Sequence, residues 1–137
     1  MNKDELMEMA RYADNSQDGA ILALLVEGVS LEEMLELSKF DVDFLNRTVQ
    51  LKDKKLQVSS STILIVKGAV DQDAYITITG EHSKIQKLEE DNSVFRPLKG
   101  EQMNVDTLKD RIRSVEEKDG YQEGEILLWT AQNKRKD

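Results

Sequence analysis

The segment "ILALLVEGVSLEEMLELSKFDVDFLNRTV", residues 21–49, limits what this chain can fold into more than any other stretch. Ile21, Leu22, Leu24 and Leu25 are so dense that their helix must lie at the centre of a core. Gly28 ends that helix, because glycine enters the left-handed turn without a steric penalty. Ser30 then opens another, and Ser30 with Glu33 makes a capping-box pair that satisfies two orphan backbone N–H groups. Val29 and Met34 occupy the two positions of a hydrophobic staple. Phe40, Asp41 and Leu45 repeat the staple and the cap, which predicts a further helix beginning at Asp41. Two capped starts this close force a short helix and a tight turn.

The rest of the first part is also helical in pattern. Leu6, Met9, Ala10 and Ala13 recur at helical spacing and predict a helix over residues 3–14. "DNSQDG" breaks it, and Asp18 is a candidate cap for the next helix. The hydrophobic period changes at Lys52–Lys55. "QVSSSTILIVKG" then reads as a strand buried at its end, and "DAYITITG" alternates as a half-buried strand, with "AVDQDA" as a hairpin loop between them. "EHSKIQKLEEDN" fits either a helical turn or a strand. "SVFRPLKGEQ" is irregular or edge structure, because Pro97 cannot donate to a sheet. Val105, Leu108, Ile112 and Val115 predict an amphipathic helix, with Asn104 or Asp106 as its cap. "EKDGYQEG" is a turn, "EILLWTAQ" a final strand carrying Trp129 on its core or dimer face, and "NKRKD" a solvated tail. The expected fold is α+β: a helical, helix-turn-helix-like domain over residues 1–55, then a small antiparallel sheet with one helix over residues 56–137.

Charge narrows the function classes. The chain holds 19 basic and 27 acidic residues, a formal net charge of −8. Nucleic acid can therefore be met only through a local basic patch. There is no cysteine, which excludes a disulfide framework and thiolate metal sites. No apolar run reaches the roughly 18 residues of a membrane span, and "MNKDELMEMA" is too acidic for a signal peptide. A soluble, cytoplasmic protein is expected.

Residues 19–50 resemble the tri-helical helix-turn-helix domains of bacterial and phage regulators. The resemblance implies that Leu31, Met34 and Leu35 face inward, that Phe40 follows the turn and that Leu45 is buried. It also implies a recognition helix presenting Val42, Asp43, Asn46, Arg47 and Gln50 to a DNA groove, where Asn, Arg and Gln are good base readers. Met34 and Leu35 are larger than the small residue many such motifs place there, and Ser38-Lys39 replaces the usual glycine turn. Asp41 and Asp43 stabilise a helix N-terminus by about 0.3–1 kcal/mol, but they repel phosphate. Lys52, Lys54 and Lys55, with Arg47, are the nearest basic group, interrupted by Asp53.

No enzyme constellation emerges. His82 stands alone beside Glu81 and Ser83, and Ser59-Ser60-Ser61 has no base placed near it. "KGAVDQDA" lacks the glycines and lysine of a phosphate loop, and Asp71 and Asp73 lack the partners of a calcium loop. Lys109, Arg111, Arg113 and Lys118 fall on the polar side of the late helix among acids, as a mixed solvent face or, with the tail, a secondary basic patch. The expectation is a non-enzymatic interaction module, an adaptor or inhibitor of phage or mobile-element type, without cofactor or metal, docking an unidentified protein partner. The alternative is a DNA-binding transcriptional regulator with a dimerising second domain. The candidate DNA or partner contacts are Asp43, Asn46, Arg47, Gln50, Lys52, Lys54 and Lys55.

Overall fold

The computed structural model describes residues 1–134. The fold is α+β, with six α-helices, a three-stranded antiparallel meander and a two-stranded hairpin among the described residues. Helix α1 spans Lys3–Arg11, capped by Asn2, whose side chain accepts from Glu5 N at 2.8 Å. Helix α2 spans Ser16–Val26. Its cap is Asn15 rather than Asp18, and Asp18 N donates to Asn15 Oδ1 at 2.8 Å. Every residue from Gln17 to Leu25 is buried, so α2 is the central rod. A Cβ at Gly19 would stand 2.7 Å from Ala10 O, so glycine lets α1 cross α2 backbone to backbone.

Gly28, at φ 89°, turns the chain out of α2. The capping box then forms as expected: Ser30 N donates to Glu33 Oε1, and Glu33 N to Ser30 Oγ. It opens α3, Leu31–Leu35. The next predicted helix does not exist. A second capping box does form, but between Ser38 and Asp41, and it closes only a 3-10 turn at Lys39–Asp41. The meander follows: β1 Val42–Asp43, β2 Thr48–Gln50 and β3 Lys55–Gln57. Val42 pairs with Val49, and Val49 with Leu56, on the inner face. Period two therefore wins over period 3.6 here, because Val42, Val49 and Leu51 reach the core only from an extended chain. Phe40 and Leu45, the expected second staple, are instead exposed.

Helix α4, Ser60–Asp71, replaces the expected buried strand. Ser59 caps it, accepting from Thr62 N at 3.2 Å, and Thr62, Ile63, Val66 and Ala69 form its buried face. Packing along α2 overrides the strand propensity of its β-branched residues. The predicted hairpin loop is thus the end of α4 and the start of β4. The hairpin itself is β4 Ala74–Thr79 with β5 His82–Lys87, which resolves the ambiguous segment as strand. Residues 88–104 are largely irregular, with Leu88, Val94 and Phe95 anchored in the core. Helix α5, Val105–Asp119, starts at its Asn104 cap and stops at Gly120.

The last expected strand is a helix, α6, Glu125–Gln132, with Ile126 buried and Trp129 partly buried. Its own cap, Gly124, offers no side chain. The cap comes from α5: buried Glu116 accepts from Gly124 N at 3.0 Å and Ile126 N at 2.8 Å. Glu116→Ala should therefore cost about 2 kcal/mol, the upper range for a lost cap. Hydrogen exchange is the measurement: amides of 125–132 lose protection while those of α2 keep theirs. Equal loss in both helices would contradict a local capping role.

One core cluster draws on α1 to α6, the meander and residues 94–95. Among the described residues no helix is long and apolar enough to cross a membrane.

Candidate nucleic-acid interface

The meander gathers all seven candidate contact residues, though not on a helix. Its inner face is apolar. Its outer face carries Asp43, Thr48 and Gln57 in one row and Gln50 and Lys55 in the next. The β1–β2 turn holds Asn46 and Arg47, and the β2–β3 turn holds Lys52, Asp53 and Lys54. Strand β2 has three residues, so the two turns stand about 10 Å apart. A cationic turn at each end of a polar face is an arrangement that can meet two phosphates, or a phosphate and a groove.

The β1–β2 turn is held from several sides. Asp43 Oδ1 accepts from Asn46 N at 3.0 Å, and Asp43 Oδ2 from Asn46 Nδ2 at 2.8 Å. Those bonds, the side-chain one first, hold the Asp43 carboxyl below its ordinary range. Gln57 Nε2 donates to Asn46 O at 3.0 Å, and Val58 N to Arg47 O at 2.9 Å. Arg47 sits at φ 55°, the sole non-glycine residue with positive φ among those described. That conformation costs a side chain about 1–2 kcal/mol relative to glycine. Asp43 and Asn46 are thus occupied with the turn itself, whereas Arg47 projects outward and is exposed. Gln50 Nε2 bonds Leu51 O at 2.8 Å, while Leu51 N to Lys54 O at 2.8 Å closes the second turn. Lys52 and Lys55 are exposed, and Lys54 is half-buried.

The other expected constellations dissolve. Ser59 caps α4, and Ser61 Oγ accepts from Arg11 Nη2 at 3.1 Å, so the serines belong to a helix start, not an edge strand. His82 is exposed at the hairpin end. The secondary basic patch is broken up: Arg111 turns into the core, Arg113 pairs with Asp110 and Glu123, and Lys118 pairs with Asp14. The end of the tail, residues 135–137, lies outside the described residues.

A buried polar knot went unseen in the sequence. Gln17 Nε2 donates to Ala69 O and Val94 O, and its Oε1 accepts from Arg96 N and Arg111 Nη1. Arg111 also donates to Arg96 O and Glu101, and its guanidinium stands 4.9 Å from the Tyr75 ring centre. Arg96 bonds Asp73 and the Gln72 carbonyl. Beside them Asp18 accepts from Tyr75 Oη at 2.9 Å and from Asn15 Nδ2 at 3.1 Å. Burial drives the Asp18 carboxyl up to about 6, against the pull of Tyr75 and Arg111. Burial, then the Asp18 charge, also raises the Tyr75 phenol, so it stays protonated as donor and is a poor nucleophile. The visible signal was "NSQDG": polar residues leading directly into the most apolar helix.

Comparison with known proteins adds three findings. A family model described as "MrpR, C-terminal catalytic domain" matches residues 1–123. Among solved structures the chain is similar to one titled "Crystal structure of XerA recombinase", with a TM-score of 0.63 at 16% identity. That match covers 88% of this chain and 41% of the recombinase chain, so this chain spans less than half of its length. A search of the curated proteins gave no match. These findings overturn the expected non-enzymatic adaptor or inhibitor, since the family is described as a catalytic domain and the fold is similar to that of a recombinase. They likewise give no support to a helix-turn-helix transcriptional regulator, whose recognition helix is replaced here by β1, a turn and β2.

Proposed function

The chain belongs to the MrpR C-terminal catalytic domain family, and from that premise we propose that it holds duplex DNA for a recombinase-like, strand-processing protein. The observation that carries the reading is the meander with Arg47, Lys52, Lys54 and Lys55 on its two turns and third strand. The family description and the recombinase fold support it. In an acidic chain these cations are the local patch that duplex binding requires. Strand processing moves a phosphoryl group, and catalysis of that step rests on cations placed over the charge that builds on phosphorus. Lysines on a tight turn suit this role as mobile point charges. Gln50 and Thr48 lie between the two turns and supply neutral polar groups toward the groove, while the Gln57 amide is spent on holding the β1–β2 turn.

The test is fluorescence anisotropy of a labelled duplex across a salt series. Lys52→Ala with Lys55→Ala should weaken binding and lower the slope of log K against log salt by about 2, since each contacted phosphate contributes about 0.9. Absence of salt-sensitive binding by the unaltered chain would sink the reading.

A further inference from the structure

We infer that the β1–β2 turn is a minor-groove probe, in which Arg47 enters the groove and Leu45 packs against its sugar wall. This rests on the DNA reading above and assigns the turn a task different from that of the lysines. Three observations carry it.

The first is backbone. Arg47 occupies the left-handed region at φ 55°, where glycine or asparagine would sit with less strain. Such an outlier persists when its surroundings over-determine it, and it then points to a use for the side chain. The surroundings do so here, through Asp43 to Asn46, Gln57 to both Asn46 O and Arg47 O, and Val58 to Arg47 O. The turn is built without help from the Arg47 side chain, which makes no hydrogen bond or ion pair among the described residues.

The second is Leu45. It is 91% exposed, more than any other large apolar residue described. Its neighbour Phe44 is partly buried, with the Lys67 ammonium 5.6 Å from its ring centre, so the turn is anchored directly beside the exposed leucine. Minor-groove proteins commonly combine a cation that enters the groove with an exposed apolar side chain, and Leu45 stands two residues from Arg47 on the same tip.

The third is size and place. The minor groove is about 6 Å wide, too narrow for a helix but open to one projecting turn. The lysine turn lies about 10 Å away across β2, close enough to hold flanking phosphates at the same time.

Arginine prefers a narrow groove, and A·T tracts narrow it. The experiment compares an A·T-tract duplex with a G·C-rich one by anisotropy at fixed low salt. The intact chain should prefer the A·T tract. Arg47→Gly should fold at least as stably, since the strain is relieved, yet bind the A·T tract about tenfold more weakly and lose the preference. Leu45→Ala should weaken binding several-fold without changing the salt slope. Lys52→Ala with Lys55→Ala should weaken both duplexes alike and keep the preference. If the intact chain binds both duplexes equally, or Arg47→Gly keeps the preference, the probe is wrong and the DNA reading stands. If the intact chain binds neither duplex, both fall.

Discussion

Gln17→Leu should remove a large part of the chain's folding stability. Leucine fills nearly the same volume, so the packing term is small. The loss is polar. Gln17 is 1% exposed and makes four hydrogen bonds: to Ala69 O at 3.2 Å, to Val94 O at 2.8 Å, from Arg96 N at 3.0 Å and from Arg111 Nη1 at 3.2 Å. Each buried group left without a partner costs about 1–3 kcal/mol. Ala69 O has a second, longer contact from Arg96 Nη2 at 3.4 Å, and Arg111 keeps Glu101 and Arg96 O, so two of the four are partly compensated. The remaining loss is on the order of 4 kcal/mol or more, against a typical total of about 5–15 kcal/mol for a domain. Urea unfolding followed by circular dichroism reads it directly. A loss below about 2 kcal/mol would show that water or a shifted Arg96 takes over the hub.

The same residue explains why parts of this fold were legible in sequence and others were not. Signals that act within four residues translated well. Ser30 and Glu33 made their box, Gly28 ended α2, Asn104 capped α5 and Tyr75–Thr79 alternated as a strand. Errors arose where a distant partner decides. "STILIV" has strand propensity, yet α2 offers it a helix-shaped seat, marked by a Gly68 whose Cβ would meet Ser16 Oγ at 2.7 Å. "EILLWTAQ" became helix because Glu116, from another helix, caps it. The Asp41–Gln50 segment misled in another way. Its apolar residues fit both periods, and the choice fell to Asp43 capping a turn at Asn46 and to Val49 meeting Val42 and Leu56. Of the candidate contacts, Arg47, Gln50, Lys52 and Lys55 are exposed in the meander. Of the polar knot only the polar entry "NSQDG" into α2 was visible; its partners could not be read, since Gln17, Arg96 and Arg111 are linked only by the tertiary fold.

Asp18→Asn should stabilise the chain at neutral pH. Asp18 is 6% exposed, and its bonded partners, Tyr75 Oη and Asn15 Nδ2, are neutral donors. Its carboxyl is raised from 3.8 to about 6, so the folded chain holds that proton more tightly than the unfolded one. The stability linked to this group is fully present below pH 4 and is lost as pH rises from about 4 to 6. Above pH 6 it stays lost. A shift of about 2 units corresponds to about 3 kcal/mol at pH 7. Asparagine removes the charge but turns one acceptor into a donor facing Asn15 Nδ2, which costs about 1 kcal/mol. The net gain is about 2 kcal/mol at pH 7, a rise in Tm of several degrees. At pH 4 the gain should vanish or reverse, because Asp18 is then protonated and keeps its bonds. Unfolding free energies of both proteins across pH 4–8 give the difference curve, which should climb through the same window. A variant less stable than the parent at pH 7 would mean that Arg111, beyond the Tyr75 ring, compensates the charge through space better than burial penalises it. In that case the Asp18–Tyr75 pair supports the fold at neutral pH instead of straining it, and Tyr75→Phe should then lose stability at pH 7 as well.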